Sequence, residues 1–259
     1  MFNFSKNIKN HGYNWVMTDS KQSRPDGRQP DELRPISFEP GYVSYPEGSV
    51  MVNWGNTRVL CNLTIQDGVP TWLAGRGKGW MTAEYAMLPR STHTRTPRET
   101  QGLKGRTQEI RRLIGRALRM SIDLEKIGDR TLLLDCDVIQ ADGGTRVASI
   151  TGGFLALWLA LHPLIKAGTL APDVLKNPIA AVSVGIAKNQ PVLDLNYAED
   201  SQAEVDLNVV MTADGRFIEV QGTAENEPFS RESLDQMLAL AEKGIKEILS
   251  RQSNFMQSI

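Results

Sequence analysis

The chain has 259 residues, 41% of them hydrophobic and 23% charged, and a formal net charge of −1. That composition excludes a disordered or fibrous chain and describes an ordinary soluble globular protein, long enough for one large domain or two small ones. No apolar run approaches the roughly 20 residues a bilayer-spanning helix needs, so no membrane partner is expected.

Residues 1–23 lack the continuous apolar stretch of a secretory signal. They are read as an N-terminal extension, a tag or an upstream start with Met17 as initiator, disordered unless Phe4, Tyr13 and Trp15 find a groove. RPDGRQPDELRP, from Arg24 onward, is polar and turn-rich. Three β-branched apolar runs follow at 36–44, 48–54 and 57–66, separated by the turns PEGS and GN, which predicts an antiparallel meander. GRGKGW at 75–80 lacks the GKS or GKT end of a P-loop and carries little weight as a nucleotide motif. Residues 80–88 are a further strand.

Residues 90–119 hold nine Lys or Arg against two acids, Glu99 and Glu109. Up to Gly105 the stretch has Pro, Thr, Ser and Gly without apolar periodicity, so an exposed, mobile loop is expected. Beyond it, Ile110, Leu113, Ile114, Ala117 and Leu118 recur at helical spacing, predicting a helix that ends near Lys126 with Arg112, Arg116 and Arg119 on another face. A basic helix is most often a solvated face, but Arg90, Arg95 and Arg98 have too few acids nearby to pair with, which favours a polyanion.

The strand TLLLDCDVIQ follows, with Asp135 and Asp137 on one face. Gly143 and Gly144 open a turn into an apolar helix at about 147–164, in which 154–161 reads as buried. Residues 177–190, 191–196, 203–212 and 217–221 read as strands, and Ser230 begins a closing amphipathic helix to about Gln252. Hairpins mixed with crossovers argue for an α+β or mixed-sheet α/β protein in two layers. Cys61 and Cys136 sit in β-like runs without a CxxC spacing, and His11, His93 and His162 share no ligand spacing. Reduced core cysteines in a cytoplasmic protein and no structural zinc are expected.

Two constellations carry chemistry. Gly143, Gly144, Thr145 and Arg146 stand at a strand-to-helix junction, where free backbone amides, a hydroxyl and a guanidinium can hold one phosphate. The alternative is a helix start that binds nothing. Gly105, Arg106 and Thr107 repeat the arrangement at the other helix. The second constellation is Asp200, Glu204 and Asp206, which can hold Mg²⁺ or keep a proton for general-acid work; a solvated strand edge is its alternative. Acids beside a phosphate site suit phosphoryl transfer.

RPDGRQPDELRP, PEGSV, GKGWMTAEYAMLPRST, GRTQEIRRLIGRALR, DCDVIQADGGTR, ASITGG, DLNYAEDSQAEVDLNV, VQGTAE and PFSRE, in this order, resemble the ribonuclease PH family across residues 24 to about 250. The resemblance implies one catalytic domain over 24–259. It implies an α+β, two-layer βαβ sandwich of mixed sheets and helices like ribosomal protein S5 domain 2, and a homo-hexameric ring, a trimer of dimers. It further implies a phosphate-dependent 3′ exoribonuclease that trims tRNA precursors and releases nucleoside diphosphates. By motif, Arg106, Gly144, Thr145 and Arg146 would bind phosphate, Asp200 and Asp206 would serve in Mg²⁺ binding and leaving-group protonation, and Arg90, Arg95 and Arg98 would grip RNA. A catalytically silent RNA-binding ring subunit and a Mg²⁺-dependent hydrolytic nuclease are the other readings; arginines dominate the constellation, which suits a second anion as nucleophile.

Overall fold

The computed structural model describes residues 24–259; the extension expected at 1–23 lies outside the described residues. β1 (Ile36–Pro40), β2 (Gly48–Trp54) and β3 (Thr57–Asp67) form the expected meander. β4 (Trp80–Met87) leads through the basic loop and α1 (Gly105–Arg119), then the single turn α2 (Leu124–Ile127), to β5 (Arg130–Gln140). β5 lies parallel to β4 and antiparallel to β3, so the five-stranded sheet runs β1-β2-β3-β5-β4.

α3 (Thr145–Lys166) then crosses to a second sheet made of β6 (Ile179–Ala187), β7 (Gln190–Leu193), β8 (Val205–Thr212) and β9 (Phe217–Ala224). This sheet is antiparallel, ordered β7-β6-β8-β9; α4 (Tyr197–Asp200) precedes β8, and α5 (Arg231–Gln257) closes the chain against β6 and β7. α3 packs on β2 and β3 from one side and on β6 from the other. A helix buried on both sides is apolar all round. By length and composition α3 could cross a bilayer, contrary to the expectation that no segment would, yet two-thirds of its apolar window is buried between the sheets. Close approach is possible because Gly152 has no side chain: a Cβ there would stand 2.2 Å from Val52 Cγ2 and 2.9 Å from Cys61 Sγ. Both cysteines are free and buried.

Several boundaries differ from expectation. β1 stops at Pro40, where Gly41 turns with φ +63° and its amide returns to the Ser49 carbonyl. The helix expected to reach Lys126 breaks after Arg119, because residues 121–123 leave it to bond Val174 and Lys176, and Asp123 accepts from the Glu125 amide to cap α2. The β6–β7 turn falls at Lys188-Asn189, both at positive φ, the conformation a tight two-residue hairpin demands. Asp200 closes the helical turn α4 (Tyr197–Asp200), begun by an Asn196/Glu199 capping box. α5 runs five residues beyond Gln252.

The turn-rich segment from Arg24 is anchored by its arginines. Arg24, Arg28 and Arg34 are buried around two acids of the second half, Asp194 and Glu199. Asp194, fully buried, accepts from the Arg34 amide at 2.8 Å, from its guanidinium at 2.7 and 3.0 Å, and from the Trp54 indole at 2.9 Å. Burial alone would raise its carboxyl, but the charge and hydrogen bonds of Arg34 hold it below the usual carboxylate range. Arg24 grips Glu199 through Nε at 2.6 Å and Nη2 at 2.7 Å. Removing one member of a buried pair strands the other charge at a cost of about 3–5 kcal/mol. Asp194→Ala is therefore expected to lower the thermal midpoint by roughly 10 °C or more, as about 2–4 °C accompanies each kcal/mol in a chain this size; a thermal melt within 3 °C of wild type would show that the network contributes little.

Candidate active site

The glycine turn before α3 is shaped by its neighbours. Gly143 and Gly144 have φ +76° and +68°, and a Cβ on Gly143 would lie 2.6 Å from the Leu195 carbonyl oxygen. Thr57 clamps the turn: its hydroxyl accepts from the Asp142 amide at 3.0 Å and donates to the Gly143 carbonyl at 2.7 Å. The Arg34 guanidinium also donates to the Asp142 and Gly143 carbonyls. With these oxygens facing inward and no side chain capping the helix, the first-turn amides of α3 stay free, at the positive end of its dipole.

They face a cavity of about 440 Å³. Arg106 enters it from the start of α1, Thr145 and Arg146 from the start of α3, Asp200 from α4, and Asp206 and Asn208 from β8. The expected phosphate ligands and the two expected acids thus line one space. The Thr145 hydroxyl is 2.8 Å from the Tyr85 hydroxyl. Arg146 donates to Gln221 at 3.0 Å and to Glu109 at 3.4 Å, partners that orient it without enclosing it.

Burial raises both acids, and the surrounding arginines oppose the rise. Asp200 is lifted by desolvation, with Arg106, Arg146 and Arg34 pulling it back. Asp206 is pushed up to about 6 by desolvation and then by the negative charge of Asp200, against Arg146 and two 3.4 Å contacts from the Asn208 amide. Perturbed acids in a cleft are the usual signature of chemistry. Two carboxylates with free space around them fit Mg²⁺, which commonly takes one or two protein carboxylates and fills its shell with water and phosphate oxygens. Among the described residues, no cluster of three His, Cys, Asp or Glu offers a fuller protein cage.

Other expected residues lie elsewhere. Glu204 accepts from the Asn189 amide at 3.0 Å and does not line the cavity. Thr107 turns to Glu99 at 2.9 Å. Arg90, Arg95 and Arg98 are exposed outside the cavity wall, which the loop reaches through Thr92, His93, Thr94 and Thr96. Arg90 donates to the His93 carbonyl, and Arg98 lies near enough to Asp137 to oppose the rise that burial gives that carboxyl. The arginines of α1 are largely engaged within the chain: Arg111 with Glu84, Arg116 with Glu219, and Arg119 with the Met81 carbonyl and the Trp80 ring.

Asn208, Tyr85 and Ser183 are among the lining or supporting residues that escaped the sequence reading. Asn208 follows Asp206 at the strand period of two, a signal that was available. Tyr85 and Ser183 gave none, since each looks like one more residue of an apolar strand; Ser183 lines the cavity with a buried hydroxyl that has no partner.

A raised carboxyl destabilises the fold above its ordinary pKa, because the native state then binds a proton that the unfolded chain has released. For Asp206 stability is lost as pH rises from 3.8 to about 6 and is not recovered above that. In the absence of divalent cations, Asp206→Asn is expected to melt several degrees higher than wild type at pH 7.5, with the gain shrinking toward pH 4; a constant or negative difference in melts across that range would contradict it.

Known proteins match this chain over nearly all of the described residues. The 3′ exoribonuclease family, domain 1, matches residues 32–163, and domain 2 of the same family matches residues 177–244. Ribonuclease PH of Bacillus subtilis (strain 168) is 59% identical over 236 residues, covering 90% of this chain and 96% of that protein. Ribonuclease PH of Bacillus velezensis is 56% identical with the same coverage. Among solved structures, a chain of the Archaeoglobus fulgidus exosome with RNA bound to the active site superposes with a TM-score of 0.76 at 20% identity, over 89% of this chain and 92% of that one, a likeness of fold. The chain belongs to the ribonuclease PH family of 3′ exoribonucleases.

Proposed function

We propose that the cavity binds inorganic phosphate beside the 3′ end of an RNA and removes the terminal nucleotide by phosphorolysis. The observation that carries this reading is the meeting of Arg106, Thr145, Arg146 and the free amides after Gly144 with Asp200 and Asp206 around one space of about 440 Å³. Water needs no such cradle to act as a nucleophile; an anion brought against an anionic diester does. Arg106, Arg146, the Thr145 hydroxyl and the α3 amides hold the phosphate. One of its oxygens bonds to the phosphorus of the last linkage, the bond to the preceding nucleotide's 3′ oxygen breaks, and a nucleoside diphosphate leaves. The 3′ oxygen takes a proton, and Asp200 and Asp206, both raised by burial, are the acids that line the cavity to supply it. Asp200 and Asp206 would hold Mg²⁺, which supplies charge neutralisation at the phosphoryl oxygens.

The substrates in this reading are tRNA precursors and other RNA 3′ ends, consistent with the ribonuclease name that the curated relatives share. Arg90, Arg95 and Arg98, exposed beside the cavity mouth, would grip the RNA backbone upstream of the reacting end. A homo-hexamer, as a trimer of dimers, and a cytoplasmic location complete the reading; the architecture shared with an exosome chain supports assembly.

The deciding experiment incubates the protein and Mg²⁺ with a short single-stranded RNA, with and without phosphate, and identifies the released nucleotide. Diphosphates only with phosphate are expected; monophosphates in both tubes would mean hydrolysis, and no release a binding subunit. Arg106→Ala or Arg146→Ala should raise the phosphate KM roughly 10-fold or more, the worth of a charge-assisted hydrogen bond, while leaving RNA affinity within a few-fold; equal losses of both would remove the assigned role. Replacing Arg90, Arg95 and Arg98 together by Ala should flatten the log–log salt dependence of RNA binding by about 2. An unchanged slope would place the loop off the RNA path.

A further inference from the structure

Strand β4 alternates inward and outward, and Tyr85 is its last fully inward residue, 4% exposed, opposite Cys136 of β5. The phenol oxygen ends 2.8 Å from Thr145 Oγ1 at the first turn of α3. Each hydroxyl has one hydrogen, and among the described residues neither has another partner. Burial raises the phenol, despite the bond to Thr145 and the nearby charges of Arg106 and Arg146, so the ring keeps its proton at working pH. Among the described residues, the Thr145 oxygen is the one hydrogen-bond partner of that phenol. With the phenol as the donor, the threonine's own hydrogen is left for the cavity that Thr145 lines, where an anionic oxygen would sit.

The geometry points to Tyr85 as a positioning residue that turns the Thr145 hydroxyl into a fixed donor toward the attacking phosphate. This rests on the phosphorolytic reading of the cavity. Tyr85 touches no substrate; it acts through Thr145. A tyrosine that merely fills the core would stabilise the fold and leave the phosphate dependence alone.

The test is a double-mutant cycle on the full chain, with phosphate and RNA dependence measured separately. Tyr85→Phe is expected to raise the phosphate KM roughly 3- to 10-fold, the range of a single neutral hydrogen bond, with kcat and the RNA KM within twofold of wild type. In a Thr145→Val background, Tyr85→Phe should add nothing further, since the two act as one unit. Thr145→Ser, which keeps both hydroxyls, should stay within twofold of the wild-type phosphate KM. That arm decides even where Tyr85→Phe fails to fold: Thr145→Ser as impaired as Thr145→Val overturns the inference. An unchanged phosphate KM in Tyr85→Phe, multiplicative effects in the cycle, or an equal rise in the RNA KM overturns it too. Wild type that releases no diphosphate removes the reading beneath it, an outcome distinct from any of these.

Discussion

The charge of Asp194 is the constraint on which the molecule turns. It is sealed from water in the segment after β7, and its compensation comes from Arg34 and Trp54, which belong to the first sheet's half of the chain. A buried carboxylate is tolerated only while its partners are in place, so the two halves are held in one relative arrangement. The same Arg34 continues to the carbonyls of Asp142 and Gly143. What neutralises the core charge therefore also aims the glycine turn that opens α3 toward the cavity. Arg24 does the parallel task for α4 by gripping Glu199, the neighbour of Asp200.

The cavity itself is a balance of opposed charges. Arg106 and Arg146 bring positive potential to a space that two half-buried acids make costly to ionise. The acids sit high because they are desolvated and close to each other, and the arginines stop the rise from going further. Anions entering such a site meet donors that are already oriented, and little reorganisation is left for the moment of reaction. Arg146 illustrates the compromise: Glu109 and Gln221 steady its guanidinium through one nitrogen at 3.4 and 3.0 Å.

Much of this was legible in the chain. The glycine pair with Thr145 and Arg146 announced a helix start able to offer free amides, and the meander announced itself by alternation and its turns. Asp206 and Asn208 share a strand face by period alone. The segment from Arg24 read as polar and turn-rich without showing its anchoring, because composition cannot distinguish arginines in water from arginines buried against acids 160 to 175 residues away. Tyr85 was hidden for the converse reason: an aromatic in an apolar strand is core by default, and its function depends on which atom its hydroxyl meets. The turn at Lys188-Asn189 was misplaced since neither residue is the glycine that usually marks positive φ.

α3 begins at the turn of Gly143 and Gly144 and continues between two sheets, with Gly152 pressed against Val52 and Cys61. Its position is set by core packing that no surface change can reach. The cavity's outer wall is different, being built from loop side chains such as Thr92, His93 and Thr96. Evolution can therefore rewrite which ends are admitted by altering the loop, while the chemistry performed on them stays hostage to the core. Descendants of this chain would diverge in diet long before they diverged in reaction.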